Sequence, residues 1–204
     1  MSRDDNKDSI LNDKKYKLFG ARDDKGGAPT LNFDVYRGSP SISVWTNDPN
    51  DPEKKPIRAG MDGVGFNAFV AMVVDVANSA EPVTKQLELL TGPPNKVFVD
   101  SSVVVGKDAE GVMFMAVRKK GRPTKKFEFL PSVYFNMIDG QGNPLGRGPT
   151  SVLWAKGFIE VIAKIVNTKI QETYAPFDPS QNARGKGGFG GGNRGGQGGG
   201  GYNQ

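Results

Sequence analysis

The chain has 204 residues, of which 36% are hydrophobic and 24% charged, and its net charge is +5. It contains no cysteine and no histidine, which excludes disulfides, thiolate nucleophiles, Cys/His zinc sites and imidazole as a catalytic base. No apolar run reaches the roughly 20 residues of a membrane span, and residues 1–14 are too polar for a signal peptide, so we expect an intracellular protein that is not secreted and has no membrane partner.

Positive charge is concentrated in two parts of the chain. Residues 118–126 carry six cations and no acid, and no acid follows Asp178 in the glycine-rich tail. The acids gather instead in residues 1–13, in Asp23-Asp24 and in residues 48–53. Local basic surfaces of this kind are typical of proteins that bind polyanions.

In chain order, the first predicted elements form one strand-and-helix unit, residues 15–78, after a disordered charged arm at residues 1–14. Alternating apolar residues predict strands at 16–19, 31–37 and 42–46. Asp62 is a good N-cap, and an apolar stripe at spacings of three and four predicts a helix from there to Val76 or Ala77.

The second half of the chain repeats this pattern. Residues 79–95 are predicted to be a linker with a short helix over Pro82 to Leu90, stopped by Gly92-Pro93-Pro94. A second strand-and-helix unit follows at residues 96–177, with its helix capped by Thr150. Residues 178–204 form a glycine-rich basic tail, which we expect to be disordered because it cannot offset its ordering entropy by burial.

Spacing supports an internal duplication. Pro40–Asp48 is echoed by Pro131–Asp139, and Leu18-Phe19-Gly20 matches Val104-Val105-Gly106. Chance similarity of two αβ segments is the alternative. Each copy is longer than a solenoid repeat, so the predicted fold class is α+β, with two tandem strand-meander-plus-helix units whose antiparallel sheets are backed by helices. A closed five-stranded OB-fold is the alternative fold.

The residues before the first helix also carry a family resemblance. Ser43-Val44-Trp45 lies in a strand, and Lys55–Met61 forms a Lys-Pro-x-x-x-Gly-hydrophobic turn before the cap. This resembles the positive cofactor four, Whirly and Pur group of single-stranded nucleic-acid-binding proteins, and related phage single-stranded DNA-binding proteins are similar. The second copy departs from the motif, since Asn143 stands where the first copy has Lys55. The resemblance implies a Whirly-like arrangement in which a single strand lies on the strands while helices pack behind.

A site for single strands needs aromatic faces for stacking and cations that follow the phosphates. The candidate nucleic-acid-binding residues are Tyr36, Arg37, Trp45, Lys55, Arg58, Arg118, Lys119, Lys120, Arg122, Lys125, Lys126, Phe127, Tyr134 and Arg147. For Trp45 and Tyr134 core packing is the alternative, because sequence alone does not fix the face that a strand side chain takes. The candidate tail contacts are Arg184, Lys186, Phe189, Arg194 and Tyr202, whose alternative is an inert linker.

The basic loop, residues 118–126, has three interpretations. It is a solvated hairpin tip, a phosphate clamp, or a minor-groove hook, since Lys120-Gly121-Arg122-Pro123 resembles the core of an AT-hook. Of these three, we predict the phosphate clamp.

Together these observations predict a homo-oligomeric protein that coats and protects single-stranded DNA in replication or recombination, largely independently of sequence, in a bacterial cytoplasm or phage-infected host. We expect no cofactor, no metal and no catalytic residue. Alternatives are an RNA-binding or annealing protein, a structural assembly protein, and a metal-dependent nuclease that would need several acids in one cleft. The candidate acids for the nuclease are Asp34, Asp48, Asp51, Asp100, Asp108 and Asp139.

Overall fold

The structure is a computed structural model, and it describes residues 9–22, 27–131 and 136–174. The chain divides into two units, Met1–Tyr174 and Ala175–Gln204. All the described residues belong to the first unit.

Each half of this unit is a four-stranded antiparallel meander followed by a helix. The first half contains β1 (Leu18–Phe19), β2 (Thr30–Tyr36), β3 (Ser39–Trp45), β4 (Ile57–Gly60) and α1 (Gly63–Asn78). The second contains β5 (Val83–Thr91), β6 (Phe98–Lys107), β7 (Met113–Lys119), β8 (Phe127–Glu128) and α2 (Arg147–Thr173). The predicted α+β class with two tandem meander-plus-helix units is confirmed. The described strands form two four-stranded sheets, and not the five-stranded barrel of the OB-fold alternative.

The two helices begin in different ways. Asp62 caps α1 as predicted, since its Oδ1 accepts a hydrogen bond from the Gly65 N–H at 2.6 Å. Thr150, however, is not the cap of α2: Gly146 occupies that position and Thr150 lies within the first turn. Glycine has no side chain that could identify it as a cap, so the sequence indicated Thr150 instead.

The predicted linker is wrong over most of its length. Residues 83–91 form β5 and pair along their whole length with β6, so the segment from Pro82 to Leu90 is not a helix and the second unit begins before residue 96. The strands of the two halves therefore correspond in a different way from the predicted alignment, with a shift of one strand. Val104 and Val105 lie in β6, the counterpart of β2 in strand order. The echo of β3 at residues 131–139 follows β8, and among its described residues the only pairing is an isolated bridge from Ile138 to Pro144.

The two halves share one hydrophobic core. Helix α2 contacts β2 and β3 of the first sheet, whereas α1 contacts β5 and β6 of the second. The ring centroids of Phe33 and Phe158 lie 6.1 Å apart, and those of Phe129 and Phe158 lie 5.9 Å apart. The buried Lys107 of β6 donates to the carbonyls of Ala77 and Ser79 at the end of α1. The halves therefore interlock, because each helix covers the sheet of the other half.

Part of the predicted N-terminal arm is also packed. Two short 3₁₀ turns, Ile10–Asn12 and Lys14–Tyr16, precede β1. Leu11 is buried in the core. The predicted disordered arm thus extends too far, since the chain contacts the core several residues before residue 14.

Candidate nucleic-acid interface

The first sheet has a core face and an outer face. Leu31, Phe33 and Val35 of β2 are buried, whereas the residues between them point to the other side. The register carries this alternation across the sheet, because Asn32 pairs with Ser43 and Ser43 pairs with Arg58. The middle of the outer face is therefore polar, but it includes the acid Asp34 opposite Ser41, and Ser43 there is only 6% exposed.

Two aromatic residues lie at one end of this outer face. Phe19 pairs with Thr30, and Thr30 pairs with Trp45, so the two rings occupy one cross-strand row. Trp45 is 44% exposed and Phe19 is 49% exposed. The strands fix both backbones, so the rings are held apart by about two strand spacings, roughly 10 Å.

A shaped loop borders Trp45. Thr46 donates to Asp51 at 2.6 Å, and the Asn47 amide donates to the carbonyl of Ala28 at 2.7 Å. Asn47 and Lys54 both have positive φ values of 48°, a left-handed backbone conformation that is uncommon for residues other than glycine. The loop and Trp45 enclose an open cleft of about 270 Å³, and Lys54 and Lys55 are among the residues that line it.

Three cations surround the exposed tryptophan. Lys54 and Lys55 line the cleft, and Arg58 lies on the outer face opposite Ser43. All three are exposed, and no ion pair joins them to an acid within the described part of the chain. We call Phe19, Trp45, Lys54, Lys55 and Arg58 the Trp45 face. It combines exposed rings on the sheet with cations that form no ion pair within the described ranges, and Asp48 and Asp51 line the same cleft.

The basic loop has a different structure from the one predicted. Arg122 is buried, with its side chain 2% exposed, and it forms a bidentate ion pair with Asp51, from Nε to Oδ1 at 2.5 Å and from Nη2 to Oδ2 at 2.7 Å. A third bond joins Nη1 to Glu53 at 2.9 Å, and the carbonyl of Lys55 also accepts from the guanidinium. Arg122 therefore connects the basic loop to the acidic loop of the first half and is not available to a phosphate.

The electrostatics of this pair agree with its geometry. Hydrogen bonding to Arg122 lowers the pKa of Asp51 from 3.8 to about 2, with further contributions from Thr46 and the Glu53 N–H. The Asp51 carboxylate in turn raises the pKa of Arg122. A buried, bidentate pair of this type is structural, because a charge that stays buried without its partner destabilises the fold.

Three of the other predicted loop cations are also paired. Lys125 lies 3.0 Å from Asp48, Lys119 lies 3.2 Å from Asp100, and Lys126 lies 3.1 Å from Asp108. Lys126 also sits 4.6 Å from the centroid of the Phe114 ring. Only Arg118 and Lys120 of the basic loop are exposed without an ion pair to a described residue. The predicted clamp is thus reduced to two side chains.

Two further residues that were predicted to contact nucleic acid have other contacts in the fold. Phe127 is completely buried and pairs with Met115 in the core, so it is wrong as a stacking residue. Arg147 forms ion pairs with Glu128 and Glu110 near the start of α2.

Tyr36 and Arg37 lie at the far end of the same outer face. Tyr36 is 68% exposed, and the guanidinium of Arg37 lies 5.4 Å from its ring centroid. Because β3 runs from Ser39 to Trp45, this pair is about 20 Å from the Trp45 face. The sheet does not bring the two aromatic groups together.

Several predicted positions lie outside the described residues. These are Tyr134 and the tail residues Arg184, Lys186, Phe189, Arg194 and Tyr202. Conversely, the prediction did not include Phe19 and Lys54. Phe19 could have been found from strand alternation, because adjacent Leu18 and Phe19 point to opposite faces and only one of them faces the core. Lys54 has no comparable signal, because its position depends on a loop with an unusual backbone.

The candidate acids of the nuclease alternative are engaged in ion pairs or hydrogen bonds, and Asp34 accepts one from the Val35 N–H. Asp48, Asp51, Asp100 and Asp108 each form an ion pair with a cation of the basic loop. Asp139 accepts hydrogen bonds from the N–H groups of Gln141 and Asn143, which lower its pKa. Within the ranges that the structure describes, no three acids lie close enough together to hold a metal ion.

No helix within the described ranges is long and apolar enough to cross a membrane. Comparisons with protein-family models, with curated proteins and with solved structures found no match.

Proposed function

We propose that this protein binds single-stranded DNA, largely without sequence preference, and that the Trp45 face is its main contact surface. The observation that carries the proposal is the combination on that face of two half-exposed rings and three cations without ion pairs. A base that is not paired can stack on an exposed ring, whereas a base inside a duplex cannot. The cations attract the phosphates, which are the same in every sequence.

The order of the secondary-structure elements supports the same function. The tandem meander-plus-helix order is also the one that the resemblance to the positive cofactor four, Whirly and Pur group implies. We propose on this basis that the protein coats and protects single strands during replication or recombination. RNA is the alternative ligand, since stacking and phosphate contacts do not by themselves distinguish the two sugars.

The test is a fluorescence-anisotropy titration with labelled single-stranded DNA, duplex DNA and single-stranded RNA of one sequence. We expect the single-stranded DNA to bind far more tightly than the duplex. Trp45→Ala should weaken binding by about 1–3 kcal/mol, which is roughly 5- to 150-fold. Arg58→Ala should lower the slope of log affinity against log salt by about 0.7.

Two matched controls make the test specific. Trp154→Phe changes the other tryptophan, which is half-buried on α2. Lys164→Ala removes an exposed cation on the same helix that pairs with Glu160 at 2.8 Å. Both control variants should bind as the wild-type protein does. Equal affinity for single strand and duplex would contradict the proposal, and tighter binding of RNA would select the alternative ligand.

A further inference from the structure

The outermost strand of the second sheet has a long free edge. β5 is nine residues long, whereas the other edge strands β1, β4 and β8 have two, four and two residues. Among the described residues, no backbone group outside the sheet forms a hydrogen bond with it. Natural proteins usually keep such edges short, charged or covered, because unpaired N–H and C=O groups can accept another strand.

The hairpin of β5 and β6 also projects beyond its sheet. β7 pairs only with residues from Ser101 to Lys107, so residues 90–99 form a two-stranded arm. The arm carries four exposed large apolar side chains, Leu90, Val97, Phe98 and Val99. Lys96 is its only charged residue. A two-stranded hairpin is marginally stable on its own, and clusters of exposed apolar side chains are common at contacts with other proteins.

We propose that β5 pairs antiparallel with β5 of a second copy of this chain, so that two four-stranded sheets become one sheet of eight strands. The axis of this pairing passes through Leu87, the middle residue of β5. All nine residues are then paired, from Val83 opposite the second copy's Thr91 to Thr91 opposite its Val83. A two-fold axis perpendicular to the sheet keeps the same face outward in both copies.

The side chains of β5 are complementary to themselves in this register. Gln86 lies opposite the second copy's Glu88, so that an amide faces a carboxylate twice. The two side chains already bond within one strand, from Nε2 to Oε1 at 2.9 Å. Leu87 lies opposite itself at the centre. Registers centred on Lys85 or on Glu88 would instead place like charges opposite each other, which is unfavourable.

The same register also extends the sheet along the arm. Leu90 lies opposite the second copy's Thr84, so the second copy's β5 adds a third strand to the two-stranded arm. Nucleic acid is a less suitable occupant, because the arm and β5 together offer only Lys85 and Lys96 as cations, and Lys85 is paired with Asp75. The partner that fits this edge is therefore another copy of the chain.

The test is sedimentation equilibrium of the full-length protein without nucleic acid, which makes it independent of the proposed function. We expect a dimer of twice the 21.9 kDa chain mass. Gln86→Glu places two pairs of carboxylates opposite each other and should raise the dimer dissociation constant about tenfold. The double variant Gln86→Glu/Glu88→Lys places opposite charges there and should restore dimerisation. Gln171→Glu, on an exposed part of α2, is the matched control and should leave the dimer unchanged.

Three results would overturn the proposal. A wild-type protein that stays monomeric at every concentration would overturn it. So would an oligomer that is indifferent to Gln86→Glu, because its interface would then lie elsewhere. If Leu90→Ser/Val99→Ser weakened DNA binding by a monomer, the arm would be a nucleic-acid contact and not an interface between copies.

Discussion

Replacement of Arg122 tests whether the basic loop is structural or binds phosphate. Arg122→Ala removes all the bonds that the guanidinium makes to Asp51, Glu53 and the carbonyl of Lys55. It also leaves the Asp51 carboxylate, 2% exposed, without its counter-charge. Breaking a buried pair by removing one partner costs about 3–5 kcal/mol. The exposed Glu53 adds little, because surface pairs are screened.

The assay is thermal and urea unfolding followed by circular dichroism. A loss of about 3–5 kcal/mol should lower the melting temperature by about 6–20 °C for a chain of this size. Lys120→Ala is the matched control, since Lys120 is an exposed cation of the same loop. It should change stability by less than about 0.5 kcal/mol. Arg122→Ala/Asp51→Asn should recover part of the loss, because the buried charge is removed as well.

The pH dependence gives an independent measure of the same pair. The pKa of Asp51 falls from 3.8 to about 2 on folding, so its contribution to stability is fully present above pH 3.8 and is lost as the pH falls towards 2. The shift corresponds to at most about 2.4 kcal/mol. This loss should be absent in Arg122→Ala. If Arg122→Ala unfolded as the wild type does but lowered the salt dependence of DNA binding, Arg122 would be a phosphate clamp and this reasoning would be refuted.

Three further predictions concern the core, the exposed loop cations and the tail. Phe158→Ala should destabilise the protein by about 3–5 kcal/mol in urea unfolding, because its ring joins Phe33 and Phe129 from the two halves; a loss below 1 kcal/mol would contradict the shared core. Arg118→Ala/Lys120→Ala should leave the melting temperature unchanged and lower the salt slope of binding by up to about 1.4, and an unchanged slope would show that the loop is only solvated. Truncation after Ser180 should not change the melting temperature, since the removed segment has little apolar surface, but it should reduce affinity for long strands more than for short ones; identical isotherms on both lengths would make the tail an inert linker.

The sequence predicted the elements whose signals are local. The start of α1 follows from one cap residue and an apolar stripe, and both are contained within a single segment. β5 shows the opposite case. Val83, Leu87 and Leu90 are spaced by four and three residues, which is typical of a helix, but pairing with β6 overrides the local preference. The displaced alignment of the repeat follows from that error, because a strand was missing from the second copy.

The candidate site was predictable only in part, for a related reason. Trp45 and Arg58 could be named from residue type and strand position. The pairing of Arg122 with Asp51 joins loops 71 residues apart, and sequence alone gives no sign of which distant acid neutralises which cation. The same limit applies to Lys119, Lys125 and Lys126. A prediction from a run of cations therefore overestimates the size of the binding surface when an acidic loop of the same chain lies beside that run in the fold.

The most direct test of the Trp45 face is the fluorescence of Trp45 in a Trp154→Phe variant. In this variant Trp45 is the only tryptophan, because the chain has two. Stacking on a base should quench its emission, and the quenching should saturate with single-stranded DNA in step with the anisotropy isotherm. Duplex DNA of the same sequence should cause little change. Tight binding of the single strand with no change in Trp45 emission would contradict the account, because the strand would then lie on another part of the surface.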